Sequence, residues 1–303
     1  MNRLTATHRR RLAHAVLTPL AALAMAGAPG HAAANGADLT LNVDFTTWTL
    51  MGGAAASNTV IPNVGTDSLL RLTAPGSGDQ AGGAYAPAPL LLDFDAAFEI
   101  RFRFFVAHGT TTEVQGDGLT FFMTGWETPV LGSGGSDLGY GGSGMNGYAF
   151  AVDTFNFENE PEAVSVQILG DGDAMPIEVT ETGLADIQPP EYFQWQAQVN
   201  YTPSGLDDET GDLTFAIHQP YTDDTFTVTL TGADWSQVAN DVYDEQDNFL
   251  GRGVRIGFTA ANGLADDGHF IGSLAPIPEP ASWALLLAGL GVVGHLARRR
   301  HAR

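Results

Sequence analysis

The feature that most constrains the fold is an alternation of apolar and polar residues over short runs. Every second residue of the run 98–106 is large and apolar: Phe98, Ile100, Phe102, Phe104 and Val106. The polar residues Glu99, Arg101 and Arg103 lie between them. Because successive side chains of a β-strand point to opposite faces, this pattern predicts a strand with one buried face.

Similar short runs recur through the middle of the chain, and no long stretch has helical periodicity. They are residues 163–169, 193–201, 213–218, 226–230 and 254–260. The runs 213–218 and 226–230 are expected to pair as a hairpin. Clusters of Gly, Asp, Asn and Pro separate the runs, as turns require. The sequence therefore predicts an all-β fold, a sandwich or jelly roll of antiparallel sheets.

The charge of the chain is distributed in three unlike parts. Eight of the 13 arginines lie in residues 1–11 and 298–303, whereas 34 of the 35 acids lie in residues 35–275. That middle part has five arginines against 34 acids, a net charge of −29. The chain has no cysteine, which excludes disulfides and Cys-ligated metals. The acidic middle part has no basic cluster that could neutralise phosphates, and the basic residues of the two tails belong to targeting signals, so we expect no nucleic-acid partner.

Residues 1–34 have the pattern of a secretory signal peptide. A basic segment ends at Arg11, residues 12–28 are apolar, and small residues follow at 32–34. No acid precedes Asp38. We expect cleavage by signal peptidase near Asn35. The alternative is an amphipathic helix of the mature protein.

Residues 276–303 have a tripartite pattern. Pro278, Glu279 and Pro280 precede an apolar stretch at 281–297, and three basic residues follow it: Arg298, Arg299 and Arg300. The stretch is long enough for a short transmembrane helix with its basic end in the cytoplasm. The whole segment resembles the PEP-CTERM sorting signal of Gram-negative bacteria. The resemblance implies transient insertion into the inner membrane, recognition by an exosortase-type transpeptidase, and delivery to the envelope, cell surface or extracellular matrix. The alternative is a permanent anchor.

Several segments of the middle part resemble, in order, the L-type (legume-lectin-like) family. They are residues 116–123 (GDGLTFFM), 138–142 (LGYGG), 148–156 (YAFAVDTFN), 195–201, 255–263 (RIGFTAANG) and 269–271. The resemblance spans most of residues 38–275. It implies that residues 35–275 form a concanavalin-A-like jelly roll that binds carbohydrate.

The resemblance also implies a set of carbohydrate-binding residues. Asp117 matches the aspartate whose carboxylate accepts hydrogen bonds from sugar hydroxyls, and the peptide bond before that aspartate is often cis in the family. Gly141 or Gly142 would donate a backbone N–H to the sugar. Phe155 would stack its ring on the sugar, beside Asn156. Without the resemblance, Asp117 would be interpreted as the turn residue of an Asp-Gly pair.

One calcium ion is the cofactor that the resemblance implies. Asp153 matches a calcium-ligand aspartate, and the carbonyl of Phe155 with the side chains of Asn156, Asn159 and Glu160 would complete the shell. The alternative is a solvated acidic loop. The sequence departs from the family where Phe157 replaces a ligand asparagine, and where Ala151 replaces a glutamate of the transition-metal site. We therefore expect no transition metal.

The function predicted from these observations is an exported, envelope-sorted, calcium-dependent carbohydrate-binding protein of a Gram-negative bacterium. We expect no enzyme activity and no catalytic residue. One alternative is a structural protein of the surface or matrix with a degenerate lectin site. The other is a jelly-roll glycoside hydrolase that uses the alternating Glu158, Glu160 and Glu162, although Pro161 interrupts that pattern.

Overall fold

The computed structural model describes residues 33–34, 38–40, 44–61, 65–109, 115–125, 128–157, 160–187, 194–206 and 209–272. All of these described residues belong to one compact unit. Residues 1–32 of the predicted signal peptide 1–34, the apolar stretch 281–297 and the sorting signal lie outside the described residues. Among the residues that are described, no helix is long and apolar enough to cross a membrane.

Regular structure in the described residues consists of eighteen strands and two short 3-10 helices. The strands are β1 (Ala33–Ala34), β2 (Asp38–Thr40), β3 (Thr49–Gly52), β4 (Ala55–Ile61), β5 (Gly65–Arg71), β6 (Gln80–Tyr85), β7 (Leu90–Leu92), β8 (Phe98–Ala107), β9 (Gly118–Thr124), β10 (Gly147–Asp153), β11 (Ser165–Gly170), β12 (Glu178–Glu181), β13 (Trp195–Pro203), β14 (Thr210–Gln219), β15 (Asp224–Asp234), β16 (Asn240–Tyr243), β17 (Phe249–Asn262) and β18 (Gly268–Gly272). The 3-10 helices are η1 (Phe45–Thr47) and η2 (Gly135–Asp137).

The described strands form two sheets. The front sheet has the order β1-β7-β17-β9-β10-β11-β12, with β6 and β16 also pairing with β17, and β3 pairing with β6. The back sheet has the order β15-β14-β13-β8-β18-β5-β4, with β2 beside β8. The pairings are antiparallel except for β1 with β7 and β2 with β8. The all-β architecture predicted from the alternating runs is confirmed, and so is the hairpin, which is β14–β15.

Aromatic side chains join the two sheets in the core. Phe102 of the back sheet packs against Phe121 and Phe258 of the front sheet, with ring centroids 5.2 and 5.0 Å apart. Phe150 and Phe215 make a similar contact at 5.7 Å. These rings are fully or almost fully buried and contribute much of the apolar area that stabilises the sandwich.

Two parts of the sandwich do not follow the pattern of one buried and one exposed face. Arg103 lies on the polar face of β8 yet is buried, with Gln196 and Gly272 opposite it on the neighbouring strands. The front sheet also carries a second small core on its outer face, formed by Phe122, Leu138, Tyr140, Met145, Ala149, Ala151 and Leu169. The glycine-rich segment 132–146 therefore folds over the front sheet and covers it.

Strands β9 and β10 position the candidate site. They are antiparallel, and Gly118 pairs with Asp153. The residue before β9, Asp117, therefore lies at the same end of the sheet as the last residue of β10. Every residue of β9 is buried. Strands β10 and β17 flank it, the back sheet covers one face at Phe121, and the second core covers the other at Phe122. The end of the strand is held firmly in place.

Candidate functional site

A cavity of about 430 Å³ lies at the end of the front sheet where β9 begins and β10 ends. Four chain segments line it: Gln115 and Asp117, residues 134–136, Phe155 and Phe157, and residues 263–265. Its size falls within the range of small-ligand sites.

Backbone hydrogen bonds fix Asp117 on both sides. Its N–H donates to the carbonyl of Ala261 at 3.1 Å, and its carbonyl accepts from the N–H of Thr154 at 2.8 Å. The following residue must be glycine, because Gly118 has φ +149° and a Cβ there would lie 2.3 Å from the carbonyl oxygen of Val152. The peptide bond before Asp117 is trans, unlike the cis bond that the resemblance suggested; within the described residues the cis bond joins Ala163 to Val164.

The carboxylate of Asp117 faces an electronegative cavity. The side chain is only 5% exposed, and its Oδ2 accepts a hydrogen bond from the N–H of Gly263. Burial raises the pKa of Asp117 to about 6, and the nearby carboxylates of Glu160 and Asp267 act in the same direction. None of the described residues that line the cavity is an arginine.

The side chain of Asp153 lies near that of Asp117 and is 6% exposed. Its Oδ1 accepts from the N–H of Phe155 at 3.1 Å, and its Oδ2 accepts from Nε2 of Gln167 at 2.9 Å. Burial raises the pKa of Asp153 to about 7, with further contributions from Glu160 and Asp117. The structure therefore brings Asp117, Asp153 and Glu160 close enough to repel one another.

The loop after β10 is closed by its own hydrogen bonds. Nδ2 of Asn156 donates to the carbonyls of Glu160 and Pro161 at 3.1 and 2.9 Å, and Oε2 of Glu160 accepts from the N–H of Phe157 at 2.7 Å. Glu158 and Asn159 lie outside the described residues. Within the described ranges, no group of three or more His, Asp or Glu side chains is placed to hold a metal ion.

Two aromatic rings supply the apolar wall of the cavity. Phe155 is half-buried, whereas Phe157 is 52% exposed. Leu264, which is almost fully exposed, and Ala265 add aliphatic surface. Phe157 is the residue for which the resemblance led us to expect an asparagine, and its ring lies at the edge of the cavity.

Gly141 and Gly142 do not line this cavity. The N–H of Gly141 donates to the carbonyl of Asp137, and that of Gly142 donates to the carbonyl of Gly172, both at 2.8 Å. Burial of Leu138 and Tyr140 against the front sheet holds the two glycines away from the cavity. The same loop instead presents residues 134–136, where Gly135 has φ +67° and open space around its Cα. The structure therefore does not bring Gly141 or Gly142 to the cavity beside Asp117, and a role for them in binding stays a prediction.

Sequence reasoning missed the contribution of residues 263–265. The loop is held by Asn262, which is fully buried: its Oδ1 accepts from the N–H of Gln80 at 2.9 Å, and its Nδ2 donates to the carbonyl of Asp267 at 2.9 Å. An Asn-Gly pair at the end of a long apolar strand was the available signal. Gln167 was also missed, and nothing in its local sequence marks it.

Comparison with protein-family models matches residues 276–300 to the PEP-CTERM protein-sorting motif. The motif implies export and sorting to the envelope, and the predicted sorting signal is confirmed. A comparison with curated proteins gives no match.

Solved structures of legume lectins are similar to this chain in fold. A Bauhinia forficata lectin in complex with GalNAc is 22% identical, with a TM-score of 0.55 over 75% of this chain and 90% of the lectin. The basic winged bean lectin with Tn-antigen is 21% identical, with a TM-score of 0.56 over 79% and 96%. Lectin I-B4 of Griffonia simplicifolia, in a metal-free form, is 20% identical, with a TM-score of 0.54 over 75% and 91%. The sandwich thus has the legume-lectin jelly-roll fold, as the sequence predicted.

Proposed function

We propose that the protein is an exported, envelope-sorted lectin that binds a neutral carbohydrate in the cavity beside Asp117. The observation that carries the proposal is the pairing of a buried carboxylate with two accessible rings, Phe155 and Phe157, across one cavity of about 430 Å³. The similar folds of lectins complexed with GalNAc and with Tn-antigen support the same class of ligand.

A sugar suits this combination of groups. Its hydroxyls donate to a carboxylate, and hydrogen bonds to charged groups are stronger than neutral ones. Its C–H face packs against an aromatic ring without leaving polar atoms unsatisfied. Gly263 holds one oxygen of Asp117 in place, so that the carboxylate is oriented before the ligand arrives.

The negative charge of the cavity favours neutral sugars over acidic ones. Asp117 is close to Glu160, Asp153 and Asp267, and none of the described residues that line the cavity is a cation. A uronate or sialate would place a further negative charge beside these carboxylates, which costs free energy. We therefore expect neutral sugars to bind and acidic ones to be rejected.

A glycan array tests this proposal. The full chain, purified in a detergent without a sugar headgroup, should bind neutral hexose or N-acetylhexosamine glycans and show no binding to uronate polymers. Binding should change little with salt, because no ion pair is formed with a neutral ligand.

Three array results would contradict the proposal in different ways. Preference for uronate polymers would refute the assigned ligand class. No binding to any glycan would favour a structural protein of the matrix. Release of reducing sugar from a bound glycan would favour the hydrolase, for which Glu160 and Glu162 are the described candidates.

For the loop after β10, we propose one calcium ion held by Asp153, Asn156, Glu160 and the carbonyl of Phe155. Carboxylate, amide and carbonyl oxygens are the ligands that calcium prefers. Asp153 and Glu160 repel each other, and a cation would relieve that repulsion. Because the amino group of Asn156 is engaged with two carbonyls, its Oδ1 remains the atom suited to a cation. Calcium would steady the loop that carries Phe155 and Phe157.

Thermal unfolding with calcium or chelator checks this proposal. We expect calcium to raise the melting temperature of the full chain by several degrees at neutral pH, since an ion that binds only the folded state stabilises it by mass action. Asp153→Asn should abolish the shift, whereas the exposed Asp224→Asn should leave it unchanged. An unchanged melting temperature in the wild type would mean that Phe155 and Gln167 satisfy Asp153 without a cation.

The sorting motif leads to the remaining parts of the proposal. We infer cleavage by signal peptidase near Asn35, a transient inner-membrane intermediate, and processing by an exosortase-type transpeptidase in a Gram-negative bacterium. The sandwich would then act at the cell surface or in the extracellular matrix, where neutral exopolysaccharide is the natural class of ligand.

A further inference from the structure

A second cavity, of about 470 Å³, lies at the opposite end of β9 and β10. We call it the amide pocket. All ten described residues that line it are uncharged, and six of them have hydroxyl or amide side chains: Thr124, Thr128, Ser143, Asn146, Gln237 and Asn240. In a chain with 35 acids and a net charge of −22, a cavity of this size whose described lining is polar and uncharged is unusual.

The walls of the amide pocket are tied together by hydrogen bonds. The N–H of Gly125 donates to the carbonyl of Asn146 at 3.0 Å, and Nδ2 of Asn146 donates to the carbonyl of Gln237 at 2.9 Å. Nδ2 of Asn240 donates to the carbonyl of Val238 at 3.1 Å. The end of β9, the loop before β10 and the turn before β16 therefore hold one another in place.

Close packing fixes the pocket further. A Cβ on Gly125 would lie 3.1 Å from the carbonyl oxygen of Val238 and 3.2 Å from Nδ2 of Asn240, so a larger residue there would press on the turn. The turn itself is anchored by Trp235, which is fully buried and accepts hydrogen bonds at its carbonyl from the N–H groups of Val238 and Ala239. A pocket of this kind is formed before a ligand arrives.

The chemistry of the lining indicates the ligand. Hydroxyl and amide groups both donate and accept hydrogen bonds. Together they can pair with ligand hydroxyls that act as donors or as acceptors, and no charged group has to lose its hydration. Met145 and Val130 add apolar surface beside them. An extended peptide suits the pocket less well, because Thr124 already pairs with Gly147 on one side and Arg255 on the other, which leaves no free strand edge at this point.

We infer that the amide pocket is a second, independent binding site for a neutral saccharide. Strand β9 has seven residues, which places the two cavities about 20 Å apart along the strand. One molecule would then hold two sugar units at opposite ends of the front sheet. A protein with that arrangement links polysaccharide chains without having to form an oligomer.

Binding to an array of neutral hexose and N-acetylhexosamine oligomers tests this inference. The full chain is used in a detergent without a sugar headgroup, as the wild type, Asp117→Asn, Val130→Trp and the double variant. Val130 is 56% exposed at the pocket, so a tryptophan there fills the cavity without disturbing the core. Gln237→Glu provides a second variant that adds a charge, and the exposed Gln246→Glu in the β16–β17 turn is its matched control.

Asp117→Asn should retain binding to a subset of glycans. Val130→Trp or Gln237→Glu in that background should weaken this remaining binding at least tenfold, and Gln246→Glu should not. Loss of all binding in Asp117→Asn would overturn the inference, as would residual binding that survives both pocket variants. Binding that ignores Asp117→Asn but is lost in Val130→Trp would support the second site and refute the first. A wild type that binds nothing would refute both.

Discussion

Asp117→Asn is expected to weaken neutral-glycan binding in the β9 cavity by roughly 100-fold or more. The variant keeps an oxygen for the N–H of Gly263 but replaces the other oxygen by an amino group, which cannot accept from a sugar hydroxyl. Loss of two charge-assisted hydrogen bonds is worth about 3 kcal/mol, which corresponds to that factor. Isothermal titration with a glycan that depends on this cavity measures the effect.

Asp117→Asn should have the same fold as the wild type. Burial raises the pKa of Asp117 to about 6, so the charged form is disfavoured in the folded protein and a neutral amide removes that cost. The melting temperature at neutral pH should be unchanged or higher. The exposed Asp224→Asn is the control for a simple change of net charge. If Asp117→Asn binds every glycan as tightly as the wild type, the carboxylate is not part of a sugar site.

In calcium-free buffer, Asp153→Asn is expected to stabilise the protein at neutral and alkaline pH. The folded pKa of Asp153, about 7, exceeds the ordinary value of 3.8. Its contribution to stability is therefore fully present below about pH 4 and is lost as the pH rises through 7. The shift corresponds to at most about 4 kcal/mol of unfolding free energy. Gln167 can turn its amide to present an oxygen to the new amino group.

Chemical denaturation from about pH 4 to pH 8 measures this difference. The free energy of unfolding of the wild type minus that of Asp153→Asn should fall across the range by several kcal/mol. Comparing the two proteins cancels His269, a fully buried histidine whose pKa is lowered by burial and whose contribution to stability rises with pH. A difference that stays constant with pH would mean that Asp153 remains charged without cost in the folded protein.

The alternation of residues 98–106 and of the other runs carried enough information to predict the sandwich. Each buried β-strand face must be covered, and two antiparallel sheets are the simplest way to cover many such faces. The pattern did not predict the second core on the outer face of the front sheet. Tyr140 and Leu138 lie among glycines, so no periodicity marks them as buried.

The sequence allowed the proximity of Asp117 and Asp153 to be expected, but it did not reveal contacts between segments that are distant in the chain. Asp117 and Asp153 flank paired strands, so their proximity follows from the antiparallel pairing of β9 with β10. Gly141 and Gly142 were assigned to ligand binding because their glycine-rich segment resembles the family's. Their N–H groups instead donate to the backbone carbonyls of Asp137 and Gly172. The loop at Gly263 reaches Asp117 across 146 residues, a contact that no local pattern contains.

A crystal structure of the complex with a neutral glycan selected on the array tests the central claim most directly. The account predicts a sugar in the β9 cavity with two hydroxyls within hydrogen-bonding distance of the Asp117 carboxylate and its C–H face against Phe155 or Phe157. A glycan bound elsewhere on the sandwich, with the Asp117 cavity filled only by solvent, would contradict it.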